Sequence, residues 1–143
     1  MTKAFARFQI SQVGLLIRDG KCLLLQFSGG SERWGLPGGR VDEGEFVGDP
    51  NLSERAFRRE MKEETGLEDF EILGVVDYDL WYTGDGIPIC GIVNLIESKT
   101  EEIQLSHEHT RFAWASPFEL DQYPFVWPKL KQMIEKGFQF SPL

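Results

Sequence analysis

Cysteine is scarce in this chain. Only Cys22 and Cys90 occur among 143 residues, and neither belongs to a CxxC pair, which excludes a disulfide-built scaffold. Both sit in apolar runs and read as small buried thiols. No apolar run approaches the roughly 18 residues of a membrane span. Met1 to Ile10 holds no apolar stretch of signal-peptide length, so a cytoplasmic protein without a membrane partner is expected. Positive charge is short as well: 15 Lys and Arg face 23 Asp and Glu, a net charge of −8. That balance argues against broad binding to nucleic-acid backbones, which needs a basic footprint. A small anionic substrate stays open, because bound divalent cations can reverse the local sign.

What is present is enough for one globular domain over residues 1–143, with 41% hydrophobic residues. A chain of this length buries about 70% of its unfolded surface. Val13 to Ile17 and Lys21 to Phe27 read as strands joined by the hairpin signal Asp19-Gly20. Their near-continuous apolar runs imply cover on both faces. A shorter strand is read at Phe5 to Ile10. Trp34 to Glu45, rich in glycine, reads as a tight irregular loop. A helix follows, with Asp49-Pro50 as N-cap and first residue, or Ser53 as a later N-cap, and Gly66 as its stop. Strands are then read at Phe70 to Val76, extendable through Trp81, at Ile87 to Ile96 and at Arg111 to Ala115. A capped turn at Ser116 to Leu120 and a helix from about Pro124 to Lys136, stopped by Gly137, complete the order. Strands, helix, strands, helix without repeats predicts a mixed α/β domain with a central sheet and a helix on each side.

Glu60, Glu63 and Glu64 occupy positions i, i+3 and i+4 of the first helix, which places them on one face. Like charges at that spacing repel unless a positive group sits among them. Carboxylate oxygens suit hard cations such as Mg²⁺ or Mn²⁺. Taken alone, a Glu-rich helix face is more often solvated surface than a site.

The surroundings change that weighting. Gly39-x5-Glu45, then Arg59-Glu60-Met61-x-Glu63-Glu64-x-Gly66-Leu67, resembles the signature of the Nudix hydrolases (the MutT-like superfamily), G-x5-E-x7-R-E-U-x-E-E-x-G-U. The lead-in Trp34-Gly35-Leu36-Pro37-Gly38-Gly39 matches as well. One interval departs: Phe46 to Arg58 make 13 residues where the family has seven. The six extra residues, placed near 46–51, put the family's pairing of Glu45 with Arg59 in question, although a surface insertion costs little entropy. The resemblance implies a Nudix-type α/β/α sandwich around a mixed sheet. It also implies metal-dependent hydrolysis of a nucleoside diphosphate linked to another moiety, water attacking phosphorus. By position, Glu60 and Glu64 become the main metal ligands and Glu63 a further ligand or the base. The Gly39 carbonyl completes the coordination, Arg59 orients the glutamates, and Arg40 lies near phosphate.

Outside the signature, Glu108 lies six residues before Trp114, a spacing similar to that of the family's additional ligand or base. His107 and His109 flank it without a third His or a Cys and read as exposed loop residues or phosphate contacts. Trp34 reads as packing beneath the glycine loop. For Phe27, Trp81, Tyr82 and Trp127, core packing outweighs stacking on a base. Arg18 and Lys21 read as solvent-facing, and Arg40 is balanced between surface charge and phosphate contact. The expected partner is a nucleotide or nucleotide derivative, and a homodimer is left open. A catalytically lapsed nucleotide-binding or regulatory module is the alternative, disfavoured by the intact Arg-Glu-x-x-Glu-Glu. An isomerase on the same fold finds no distinct acid/base pair. Tyr123-Pro124-Phe125-Val126-Trp127 lacks the Asn that MutT-type enzymes acting on oxidised guanine carry in the similar segment, which weakens that substrate.

Overall fold

The computed structural model describes residues 3–28, 32–46 and 51–141, without the side chains of Phe46 and Thr110. Strands β1 (Gln9–Arg18) and β2 (Lys21–Phe27) form a hairpin. Asp19 and Gly20 both take positive φ, 51° and 75°, the backbone that a type I′ turn requires. Short strands β3 (Trp34–Gly35) and β4 (Gly38–Arg40) and a 3₁₀ turn at Glu43–Phe46 lead to helix α1 (Leu52–Thr65). Then come β5 (Phe70–Tyr82), β6 (Pro88–Ser98), β7 (His109–Ala115), a 3₁₀ turn at Pro117–Gln122 and α2 (Leu130–Phe140).

The sheet runs β3-β2-β1-β6-β5, with β4 paired to β1 and β7 to β2. It is mixed, because β1 runs parallel to β6 and antiparallel to β2 and β4. Two cores lie on its two faces. Leu15, Ile17, Cys22 and Leu24 pack with Leu130, Met133 and Ile134 of α2. Leu16, Leu23 and Leu25 pack with Phe57 and Met61 of α1. Alternate residues of one strand therefore enter opposite cores, which is why β1 and β2 read as unbroken apolar runs. The expected α/β/α sandwich is the observed one. Among the described residues no helix is long and apolar enough to cross a membrane.

Several boundaries differ from the expectations. Phe5 to Phe8 form no strand; Phe5 is exposed, and only Gln9 and Ile10 join the sheet, as the start of β1. The Asp49-Pro50 cap lies outside the described residues. Helix α1 starts at Leu52, ahead of the alternative Ser53 cap, and ends where Gly66 donates its N–H to the Lys62 carbonyl. The glycine loop is less irregular than predicted, because β3 and β4 pair with β2 and β1. Helix α2 begins six residues after Pro124, at Leu130, and continues through Gly137. Gly137 is no stop: a Cβ there would lie 2.1 Å from Leu15 Cδ2, so it allows the helix to approach the sheet closely. Cys22 is buried, but Cys90 is only half-buried. Arg18 faces back to the protein and donates to the Ser98 carbonyl.

Candidate active site

The Glu-rich face of α1 meets the glycine loop. Glu60 and Glu64 are 9% and 5% exposed, whereas the Glu63 side chain stands 56% exposed. Three carboxylates on one helical face need a counter-charge, and Arg59 supplies it to two of them. Its Nη2 donates to Glu60 Oε1 at 2.9 Å, and its Nη1 to both Glu63 oxygens at 3.1 Å. The same guanidinium grips Glu45 with two bonds, Nε to Oε2 at 2.8 Å and Nη2 to Oε1 at 2.7 Å. Such paired, charge-assisted bonds are the strong class. The Asp42 N–H donates to Glu45 Oε1 at 2.9 Å, which fixes the carboxylate to the 3₁₀ turn. Glu45 therefore reaches Arg59 in spite of the longer interval; residues 47–50 of the insertion lie outside the described part.

These contacts act on the titration of Glu45 and Glu60. The Arg59 hydrogen bonds hold the Glu45 carboxyl below its ordinary range, and burial pushes Glu60 above its own, against the opposing pull of Arg59. A lowered folded-state pKa contributes stability above the unfolded pKa of about 4.3 and loses it as pH falls through the folded value. Glu45→Gln is accordingly expected to flatten the acid limb of a Tm-against-pH curve below about pH 4.5. A curve that keeps the wild-type slope there would rule out the pairing as a source of stability.

Gly39 lies directly against Glu60: a Cβ on Gly39 would sit 2.5 Å from Glu60 Oε2. The loop backbone and a buried carboxylate thus share one small space. Glu64 is turned elsewhere. Its Oε2 lies 2.6 Å from Nδ1 of His109, whose side chain is 2% exposed. His109, which the sequence offers as an exposed loop residue or a phosphate contact, is buried, whereas His107 is exposed. Glu108 is exposed, and its main-chain carbonyl accepts bonds from the Ser28 N–H and Oγ, each at 2.9 Å. Among the described residues its carboxylate joins none of the three glutamates.

The donor set fits a divalent cation in part. Its side-chain donors in Glu60, Glu63 and Glu64 are oxygens, and Glu64 Oε2 is buried without a well-aligned hydrogen bond. Among the described residues, however, no three His, Cys, Asp or Glu side chains are gathered at metal-holding spacing. Arg59 stands within the cluster instead, so Glu60 and Glu63 each exchange an arginine contact if they take a cation.

Beside Gly39 and Arg40 opens a cleft of about 300 Å³, lined also by Phe27, Trp81, Thr83 and Trp127. Trp81 of β5 and Trp127 before α2 lie with ring centres 4.1 Å apart at 35°. Trp127 is pinned from behind by Nε1–H donating to Asp79 Oδ2 at 3.3 Å. Both rings cross β6 at Gly91, where a Cβ would fall 2.4 Å from each. Trp81 and Trp127 are thus core residues that also form a cleft wall. Tyr82, by contrast, is 70% exposed and packs into no core. Trp34 is buried as expected, edge-on to Tyr123. Arg40 is exposed at the cleft and donates to Gln9 Oε1 at 3.0 Å.

Two features escaped the sequence. The tryptophan pair joins residues 46 positions apart, and only Gly91 between the flanking strands hints at it. Counting back from Ala113 and Ala115, which face α2, period-2 alternation would turn His109 toward α2 also. The register between β2 and β7 shifts between Gln26 and Phe27, and a bulge of that kind re-aims side chains.

The comparisons agree with this architecture. The NUDIX domain model matches residues 9–137. Among solved structures, a MutT protein from Methanosarcina mazei Go1 is 22% identical, with a TM-score of 0.75 over 99% of this chain and 100% of that one. A NUDIX hydrolase from Nitrosomonas europaea is 22% identical, with a TM-score of 0.74 over 91% and 88%. A C. elegans Ap4A hydrolase is 24% identical, with a TM-score of 0.74 over 92% and 96%. The family match spans nearly the whole chain, the glycine loop faces the Glu-rich helix, and Arg59 ties the two together: the chain belongs to the Nudix hydrolase family.

Proposed function

We propose that this chain hydrolyses a nucleoside diphosphate linked to another moiety, in a Mg²⁺- or Mn²⁺-dependent reaction. The observation that carries the reading is Glu60, buried against the Gly39 backbone and tied through Arg59 to Glu45. Glu60, Glu64 and the Gly39 carbonyl would hold the cation, with Glu63 as a further ligand or as the base. When bound, the cation neutralises the diphosphate and stabilises charge in the transition state.

The chain's own groups do the rest. Glu63, the exposed carboxylate of the three, accepts the proton of the attacking water; Glu108 is the alternative base, carried on the turn before β7. The water oxygen bonds to phosphorus, the anhydride P–O bond breaks, and a phosphate or phosphorylated fragment leaves. Arg59 keeps Glu60 and Glu63 aligned. Arg40 meets the anionic phosphates at the cleft mouth, and the wall of Trp81 and Trp127 offers a face for a base. An alkaline optimum is expected for a water nucleophile.

Purified protein is assayed against nucleoside triphosphates, nucleotide sugars, dinucleoside polyphosphates and NADH, with and without Mg²⁺ or Mn²⁺. Turnover of at least one compound, abolished by chelator, is expected. If none turns over while one binds, the lapsed binding module replaces the enzyme. On whichever compound is turned over, Gly91→Ala is expected to raise KM about tenfold, since the new Cβ forces the Trp81/Trp127 pair apart. An unchanged KM removes the pair from the substrate subsite.

A further inference from the structure

We propose that the outer edge of β5, from Asp77 to Tyr82, is a dimer interface. It pairs antiparallel with the same strand of a second copy, about a two-fold axis at Leu80.

Strand β5 closes one side of the sheet, and among the described residues no strand pairs with its outer edge. Register shifts interrupt it between Ile72 and Gly74 and between Val75 and Asp77, but Asp77 to Tyr82 run in unbroken register with β6. Bulges guard a sheet edge against pairing, and a regular edge is open to it. The alternate residues Tyr78, Leu80 and Tyr82 are 64%, 51% and 70% exposed, so they form an apolar stripe on one sheet face. Helix α1 lies over the same face, where Gln12 Nε2 donates to the Ser53 carbonyl at the helix start. Ile10, Cys90 and Leu80, in register across β1, β6 and β5, lie past that point. The stripe leaves roughly 300 Å² of apolar side chain in water, within the range of the largest patch on a typical monomer.

The order of the residues selects a second copy as the occupant. A two-fold contact needs a surface complementary to itself. The stripe Tyr78-x-Leu80-x-Tyr82 reads the same in both directions. With the axis at Leu80, each Tyr78 faces Tyr82 of the other copy, and Leu80 faces its own equivalent. Such aromatic cross-strand pairs are favourable. Charge fixes the same register. On the opposite face Asp79 then meets Trp81, and Asp77 meets Thr83. An axis at Asp79 would set Asp79 against itself, and one at Tyr78 would set Asp77 against Asp79; like charges directly opposite destabilise a strand pair. Trp81 and Thr83 also line the cleft beside Gly39 and Arg40, so the second copy's strand borders that cleft. A contact of one short strand stays below the roughly 1,200 Å² of a standard interface, which makes the dimer concentration-dependent.

Sedimentation velocity over a concentration series tests this. The wild type is expected to pass from monomer to dimer with Kd on the order of 10–100 μM. Leu80→Lys sets two like charges on the axis and is expected to weaken the dimer tenfold or more. Tyr78→Lys and Tyr82→Glu each remove two aromatic pairs and are expected to weaken it about tenfold. The double variant Tyr78→Lys/Tyr82→Glu sets opposite charges against each other twice and is expected to return to within about threefold of the wild type. Should Leu80→Lys not fold, Leu80→Glu is read with the same expectation. A wild type that stays monomeric up to about 1 mM, or that sediments with phosphatidylcholine vesicles and not with itself, overturns the proposal. So does a dimer indifferent to the Leu80 variants, or a double variant no stronger than the single ones.

Discussion

Glu60→Gln is expected to lower kcat by about 10²- to 10³-fold while leaving Tm at pH 7 unchanged or higher. The loss follows from the role proposed for the carboxylate: it lies against the Gly39 backbone and within reach of Arg59, and if it holds the catalytic cation as proposed, removing it forfeits several kcal/mol of transition-state stabilisation. The stability result has the opposite origin. Burial raises the Glu60 pKa, so the folded state holds the proton more tightly than the unfolded chain does. Stability from this group is greatest below the unfolded pKa of about 4.3 and declines as pH rises toward the folded value. At pH 7 the fold carries a desolvated charge, only partly offset by Arg59. A neutral amide of the same shape removes that cost. Activity at saturating Mg²⁺ and a thermal melt on one preparation check both halves. A variant that loses activity only because it melts early would place Glu60 in the fold rather than the site.

The second large effect separates two adjacent glycines. Gly38 has φ of 142°, and a Cβ there would lie 2.1 Å from the Gln12 carbonyl oxygen of β1. That obstacle is backbone in a paired strand and cannot step aside, and the φ itself disfavours any L side chain. Gly38→Ala is expected to destabilise by about 3 kcal/mol or more, lowering Tm by roughly 10 °C. Gly39 meets only the far end of the Glu60 side chain, which can rotate away. Gly39→Ala is therefore expected to melt within about 3 °C of the wild type yet lose most activity, because Glu60 leaves its place. Melting curves and kcat for the pair decide it. Two variants that lose stability alike, or a fully active Gly39→Ala, would contradict the assignment of the loop as half of the site.

Much of this was legible in the residues themselves. The apolar runs of β1 and β2 imply a sheet covered on both faces, and alternate residues do enter separate cores under α1 and α2. The i, i+3, i+4 glutamates require a cation among them, and Arg59 supplies one from the same helix. The Glu45–Arg59 pair was not decidable from spacing, because an insertion fixes contour length but not where the ends lie. Gly137 resembled a helix stop because a glycine near the end of a helical run carries no sign of the Leu15 contact that requires it. His109 looked like loop surface because its burial depends on Phe27 and Glu64, remote in sequence, and on a shift of strand register that leaves no local mark.

The most direct measurement is hydrolysis in ¹⁸O-enriched water, followed by ³¹P NMR of the products, with Mg²⁺ present or removed and with Glu60→Gln beside the wild type. The predicted result is one ¹⁸O on a phosphorus of the product, formed only with Mg²⁺ and nearly absent from the variant. Label found on carbon instead of phosphorus, turnover that persists without a divalent cation, or a Glu60→Gln rate equal to the wild type would contradict a phosphoanhydride hydrolase built on this helix.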